Sequence, residues 1–120
     1  MKKLYALRGA AQCMNTEQDI CRQTASMYDE LLSANMLDQG DIVSLVFSVT
    51  SDLDAINPCT ALRKGGRAEH LALFGVQEPQ TKGALERTIR ALVHCYLDEG
   101  AEVHHVYING AQVLRPDRIN

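Results

Sequence analysis

The run Ile42–Thr50 constrains the fold most, because its two faces differ in kind. Val43, Leu45, Phe47 and Val49 fall on one side, and Ser44, Ser48 and Thr50 on the other. Alternation of this period is that of a strand with one buried face. The apolar face needs a cover, and the preceding segment supplies it. Thr16 stands as an N-cap, Glu17 and Asp19 place negative charge in the first turn, and Ile20, Thr24, Met27, Tyr28, Leu31 and Leu32 form one helical stripe to about Ala34, ending at Asn35. The turn Asp38–Asp41 joins the two. The small polar face lacks the Lys and Glu of a solvated sheet, and it suits packing against a second sheet, including one from another subunit.

The rest of the chain fits the same layered plan. Lys3–Gly9 reads as a first strand, with Leu4, Ala6 and Arg8 on one face and Gly9 permitting a turn or a close approach. Asn57-Pro58 is an N-cap followed by proline at the first helical position, opening a short helix through Arg63 that stops at Gly65-Gly66. Glu69–Gln77 reads as a third strand and runs into Glu78. From Ala84 the apolar residues Leu85, Ile89, Leu92, Val93 and Tyr96 have helical spacing, which places Arg90 on the flank of a second long helix. Val103–Ile108 and Ala111–Leu114 flank Asn109-Gly110 and read as a hairpin with a type I′ turn. The expected order is therefore βαβ-β-α-ββ: a single α+β domain over residues 1–120, one mixed sheet with helices on one face.

A chain of 120 residues with a formal charge of −3 is a poor match for a nucleic acid, which calls for a basic surface. A local cluster of arginines in an acidic protein suits a small anion instead. No stretch is long and apolar enough for a membrane span. Cys13, Cys21, Cys59 and Cys95 are scattered without a CxxC pair and, with no signal peptide, read as reduced thiols of a cytoplasmic protein. The four histidines have no metal-ligand spacing, and neither a GxGxxG nor a Walker pattern is present, so no metal or nucleotide cofactor is expected. Taken singly, Glu78 reads as a turn cap, Arg90 as a solvated helix residue, Arg8 as an edge charge, and the Arg63-Lys64-Arg67 group as a solvated helix end.

Taken together these residues carry a resemblance. Leu7-Arg8-Gly9-Ala10, Thr50-x-Asp52-Leu53-Asp54, Pro58-x-x-Ala61-x-Arg63, Gln77-Glu78, Ile89-Arg90, His105-Val106-Tyr107 and Val113-Leu114-Arg115-Pro116-Asp117 occur in the order and spacing of the monofunctional chorismate mutases of the Bacillus type. The resemblance spans nearly the whole chain. It implies a homotrimer with sheets facing its core and active sites between subunits. It also implies conversion of chorismate to prephenate, a [3,3] Claisen rearrangement on the route to phenylalanine and tyrosine. By the same resemblance Arg90 faces the ether oxygen, Arg8 and Tyr107 hold the pyruvyl side chain, and Glu78 meets the ring hydroxyl. Arg63 and Arg115 sit toward the ring carboxylate, and Leu114 lines the site. The chain departs from the family pattern at the substrate wall. It has Asn57 where an aromatic is usual, Thr60 in place of a lysine, and Phe74-Gly75 in place of a small polar residue and a cysteine. Two other readings of the arginine set are an imine-hydrolysing trimer of similar architecture and a non-catalytic binder of a small dicarboxylate.

Overall fold

In the computed structural model, which describes residues 1–114, the elements are β1 (Lys2–Gln12), α1 (Glu17–Ala34), β2 (Ile42–Val49), α2 (Pro58–Lys64), β3 (Leu73–Gln77), β4 (Thr88–Asp98) and β5 (Val106–Ile108). Short 3-10 turns occupy Gln39–Asp41 and Ala111–Leu114. The strands form one mixed sheet in the order β3-β2-β4-β1-β5. β4 lies antiparallel to both β1 and β2, while the outer pairs β2–β3 and β1–β5 are parallel.

Local chemistry accounts for the helices. The Thr16 hydroxyl accepts the Asp19 N–H and starts α1. The Asn57 side chain accepts the Cys59 N–H ahead of Pro58 and starts α2. The stripe Ile20, Thr24, Met27, Tyr28 and Leu31 is buried against the sheet, as the sequence requires. It meets Leu7, Ala11, Leu45, Phe47, Ile89, Val93 and Cys95 in one core. Gly9 sits in mid-strand rather than at a turn. A Cβ there would lie 3.0 Å from Met27 Sδ and 3.1 Å from Leu31 Cδ1, so the glycine lets α1 approach the sheet closely.

Several sequence expectations are corrected. The segment expected as a second long helix is β4. Ile89, Ala91, Val93, Cys95 and Leu97 point into the core, and Arg90, Leu92, His94 and Tyr96 point to the opposite face. That inward set alternates as well as the other set follows a helix, and pairing with two strands decides between them. The expected C-terminal hairpin is also absent from the described residues. Asn109 and Gly110 do take positive φ (50° and 98°), but Ala111–Leu114 then coils instead of returning, and β5 joins the edge of β1 in parallel. β1 runs three residues beyond Gly9, to Gln12, and β3 begins at Leu73 rather than Glu69. A register shift at Val43 turns that side chain outward and brings Ile42 into the core instead.

Both helices lie on one face of the sheet. Its other face is open and carries Leu4, Phe74, Val76, Leu92 and Tyr96 as exposed apolar side chains.

Candidate functional site

Strand register brings the site residues into line on the open face. Val76 lies beside Ser48, Ser48 beside Arg90, Arg90 beside Ala10, and Ala10 beside Tyr107: one transverse row across all five strands. The neighbouring row holds Phe74, Val46, Leu92 and Arg8. Paired residues point to the same face, so these two rows set side chains from distant parts of the chain against each other. Arg8, Gly9, Ala10, Arg90, Ala91, Tyr107 and Leu114 enclose a cleft of about 190 Å³.

Glu78 follows directly on β3, held there by its own N–H, which donates to Val49 O at 2.8 Å. Its side chain folds back over β2. Glu78 Oε1 accepts the Ser48 hydroxyl at 2.6 Å, and the same oxygen stands 3.7 Å from Arg90 Nε. That separation is an ion pair without a hydrogen bond. Arg90 Nε is consequently a buried donor with no hydrogen-bond partner among the described residues, although the side chain as a whole is 43% exposed. The guanidinium is thus gripped at its inner nitrogen and open at its outer end, where a small anion could engage both Nη groups.

Arg8, Arg90, Tyr107, Leu114 and Glu78 are therefore brought together within one chain. Asn57 and Gly75 are not part of this cleft. They line a separate cavity of about 360 Å³, with Val49, Thr50, Asp54, Pro58 and Val76, where the parallel pair β2–β3 ends against α2. There Gly75 leaves room for Asn57 and Cys59, whose Oδ1 and Sγ would lie 3.4 and 3.5 Å from a Cβ. Burial raises the Cys59 thiol above its usual pKa against the opposing pull of Arg63, so it stays a neutral packing group at pH 7. Phe74 is 65% exposed on the open face. Arg63 lines neither cavity, and its Nη2 donates to Leu71 O at 2.9 Å. Arg115 lies outside the described residues.

Two residues at the site were not singled out from sequence. Ser48 appeared only as part of a small polar face, and its contact with Glu78 depends on the β2–β3–β4 register. His105 accepts the Arg8 backbone N–H at Nδ1, 3.0 Å away. Its period-two spacing from Tyr107 was the available signal. Among the described residues, no group of three or more His, Cys, Asp or Glu side chains could hold a metal ion, and no helix is long and apolar enough to cross a membrane.

A helix-backed mixed sheet whose bare face carries two arginines, a tyrosine and a braced carboxylate suits a small organic anion. Comparison with known proteins makes this specific. Residues 4–118 match the family model of chorismate mutase type I, and the chain belongs to that family. It is 31% identical over 117 residues to the chorismate mutase AroH of Thermus thermophilus, covering 92% of this chain and 95% of the relative. To AroH of Bacillus subtilis (strain 168) it is 29% identical over 116 residues, covering 95% and 91%. The solved chorismate mutase of Clostridium thermocellum superposes with a TM-score of 0.84 at 38% identity, over 91% of this chain and 98% of that one. The family assignment sets aside both the imine-hydrolysing reading and the non-catalytic one.

Proposed function

We propose that this chorismate mutase works by holding chorismate in its compact chair and stabilising the ether oxygen with Arg90, in a site completed by a neighbouring copy of the chain. In the rearrangement the ether C–O bond breaks as a new C–C bond forms to the ring. No proton is transferred and no covalent intermediate is needed. Negative charge grows on the departing oxygen, so a fixed guanidinium there favours the transition state over the bound substrate. Arg8 and Tyr107 are assigned to the pyruvyl side chain and Glu78 to the ring hydroxyl. Holding the folded conformer contributes a positioning term besides.

The observation that carries this reading is the state of Arg90: anchored by an ion pair with Glu78, unsatisfied at Nε, and open toward the cleft shared with Arg8 and Tyr107. Preorganised donors of this kind are commonly worth about 3–4 kcal/mol in turnover.

The case for assembly rests on size and surface. The 190 Å³ cleft is smaller than the roughly 300–1,000 Å³ usual for an organic ligand. Arg63 and the Asn57–Gly75 wall stand apart from it in the single chain. The open face beside it exposes Leu4, Phe74, Leu92 and Tyr96, an apolar surface of the sort that interfaces cover. We therefore assign a homotrimer, each site taking Arg63, Asn57, Phe74 and Gly75 from one copy and Arg8, Arg90 and Tyr107 from the next. Four free thiols accord with a cytoplasmic location.

The test is loss of chorismate absorbance in plain buffer, repeated with a chelator, alongside Arg90→Ala and Arg90→Lys. Wild-type turnover should survive the chelator. Both variants should fold and lose about a hundred- to a thousandfold in kcat, since an ammonium cannot copy the planar fork. Near-normal turnover in Arg90→Lys removes the assignment. Sedimentation equilibrium tests the trimer, and a fully active monomer would refute it.

A further inference from the structure

The β5 strand is short, yet it brings Tyr107 to the cleft, and at its leading end two contacts outside the ladder help seat it on β1. At the first, the carboxamide of Asn35, the buried residue that ends α1, acts as a substitute peptide group. Its Oδ1 accepts the His104 N–H at 2.7 Å, and its Nδ2 donates to His104 O at 2.9 Å and to Leu31 O at 2.8 Å. The second is one residue further on. The parallel ladder begins at Gly9–Val106, so Arg8 and His105 face each other one step before it. There the Arg8 N–H finds no ladder carbonyl on this side. It donates to His105 Nδ1 instead, at 3.0 Å.

We propose that His105 is a positioning residue for the rearrangement: its imidazole, accepting the Arg8 N–H at Nδ1, sets the spacing between the Arg8 guanidinium and the Tyr107 phenol. The proposal rests on the mutase reading above. Only an Nδ1 without a proton can accept, so the ring is held as the Nε2–H tautomer. His105 does not line the cleft; it acts through the backbone of two residues that do. Register ties the two effects together, because a slip of β5 against β1 moves Tyr107 relative to Ala10 and Arg8 at once. Misplacement of a substrate-holding group by about 1 Å can cost on the order of a hundredfold in rate.

The experiment compares wild-type chain with His105→Leu and His105→Asn, each assayed for kcat and KM on chorismate. Asn places Oδ1 close to the position of Nδ1 and keeps an acceptor, whereas Leu keeps the bulk without one. His105→Leu should lose roughly ten- to a hundredfold in kcat/KM, and His105→Asn should return to within about threefold of wild type. A long-range proton–nitrogen spectrum of the wild-type chain should show His105 as the Nε2–H tautomer at neutral pH, a readout independent of whether the Leu variant folds. Full activity in His105→Leu, equal losses in both variants, or an Nδ1–H tautomer would each overturn this role while leaving the mutase reading in place. A wild-type chain that leaves chorismate unchanged overturns the mutase reading, and the role with it.

Discussion

Ser48→Ala tests whether the spacing between Glu78 and Arg90 is set or incidental. Glu78 Oε1 lies between two donors and touches only one: the Ser48 hydroxyl at 2.6 Å, against 3.7 Å to Arg90 Nε. Without the hydroxyl, the carboxylate has every reason to close on the unsatisfied Nε, to about 2.8 Å. At an effective dielectric near 20, unit charges attract by about 4.5 kcal/mol at the first distance and about 5.9 kcal/mol at the second. Solvent around a guanidinium that is 43% exposed reduces this difference of about 1.4 kcal/mol to about 1 kcal/mol or less. Substrate must then compete with a tighter internal partner, so kcat/KM should fall by about fivefold. In a Glu78→Gln background, where no charge is left to close, the same substitution should have no effect. Steady-state chorismate assays on the four proteins form a double-mutant cycle. Unchanged activity in Ser48→Ala, or an equal drop in both backgrounds, would refute the reasoning.

Three further perturbations address the scaffold. Gly9→Ala pushes a methyl to 3.0–3.1 Å from Met27 and Leu31. It should cost about 1 kcal/mol, the low end for overpacking because Met27 can yield, lowering Tm by about 3–6 °C; calorimetry showing no change would contradict the close approach of α1. Asn35→Ala strips partners from the His104 backbone and from Leu31 O, and urea denaturation should report a loss of about 2–3 kcal/mol. Alkaline pH should destabilise the chain. Burial raises the Cys13 thiol from 9.0 to about 11, and burial followed by the charge of Asp29 raises the Tyr28 hydroxyl from 10.0 to about 12. Because the unfolded thiol gives up its proton first, this part of the stability is whole below about pH 9 and drains away as pH rises through about 11, amounting to about 2–3 kcal/mol for Cys13. Urea midpoints at pH 8 and pH 10.5 measure it, and Cys13→Ala should flatten part of the decline.

How far the chain could be read ahead of its structure depended on which signals were local. The caps Thr16 and Asn57, the stripe of α1 and the alternation of β2 from Ser44 onward are written in adjacent residues, and these appear where the sequence places them; only the bulge at Val43 departs. Periodicity points to a helix at β4 because both faces of the strand are apolar. Inward Ile89, Val93 and Leu97 alternate, but outward Leu92 and Tyr96 fill the gaps and complete a helical stripe. The absent hairpin has a related cause. Asn109-Gly110 does bend the chain, yet the β1 edge takes β5 in parallel, a pairing no nearby residue announces. The family pattern points to Arg8, Glu78, Arg90 and Tyr107, and the fold brings these four side chains together on the open face. The contacts of Ser48 and His105 depend on register between strands far apart in sequence, and one chain of letters does not contain it.

The feature that obscured β4 also bears on how it works. Along its open face the strand carries Arg90 at the cleft, then Leu92, His94 and Tyr96 leading away along the bare sheet. Leu92 stands beside Arg8 and Val46, and Tyr96 beside Leu4, so the apolar patch is continuous with the row that holds the arginines. In the proposed trimer, the surface that joins the copies and the surface that orders the guanidinium groups are then one sheet face. Residues at successive outward positions of a strand cannot move independently, because pleat and ladder fix them together. A change at Leu92 or Tyr96 that weakens subunit contact should therefore reach Arg90 without touching substrate. On that proposal an apolar outer face, a poor choice for an isolated sheet, would let a chain of 120 residues form a rigid anion site from a half-open cleft.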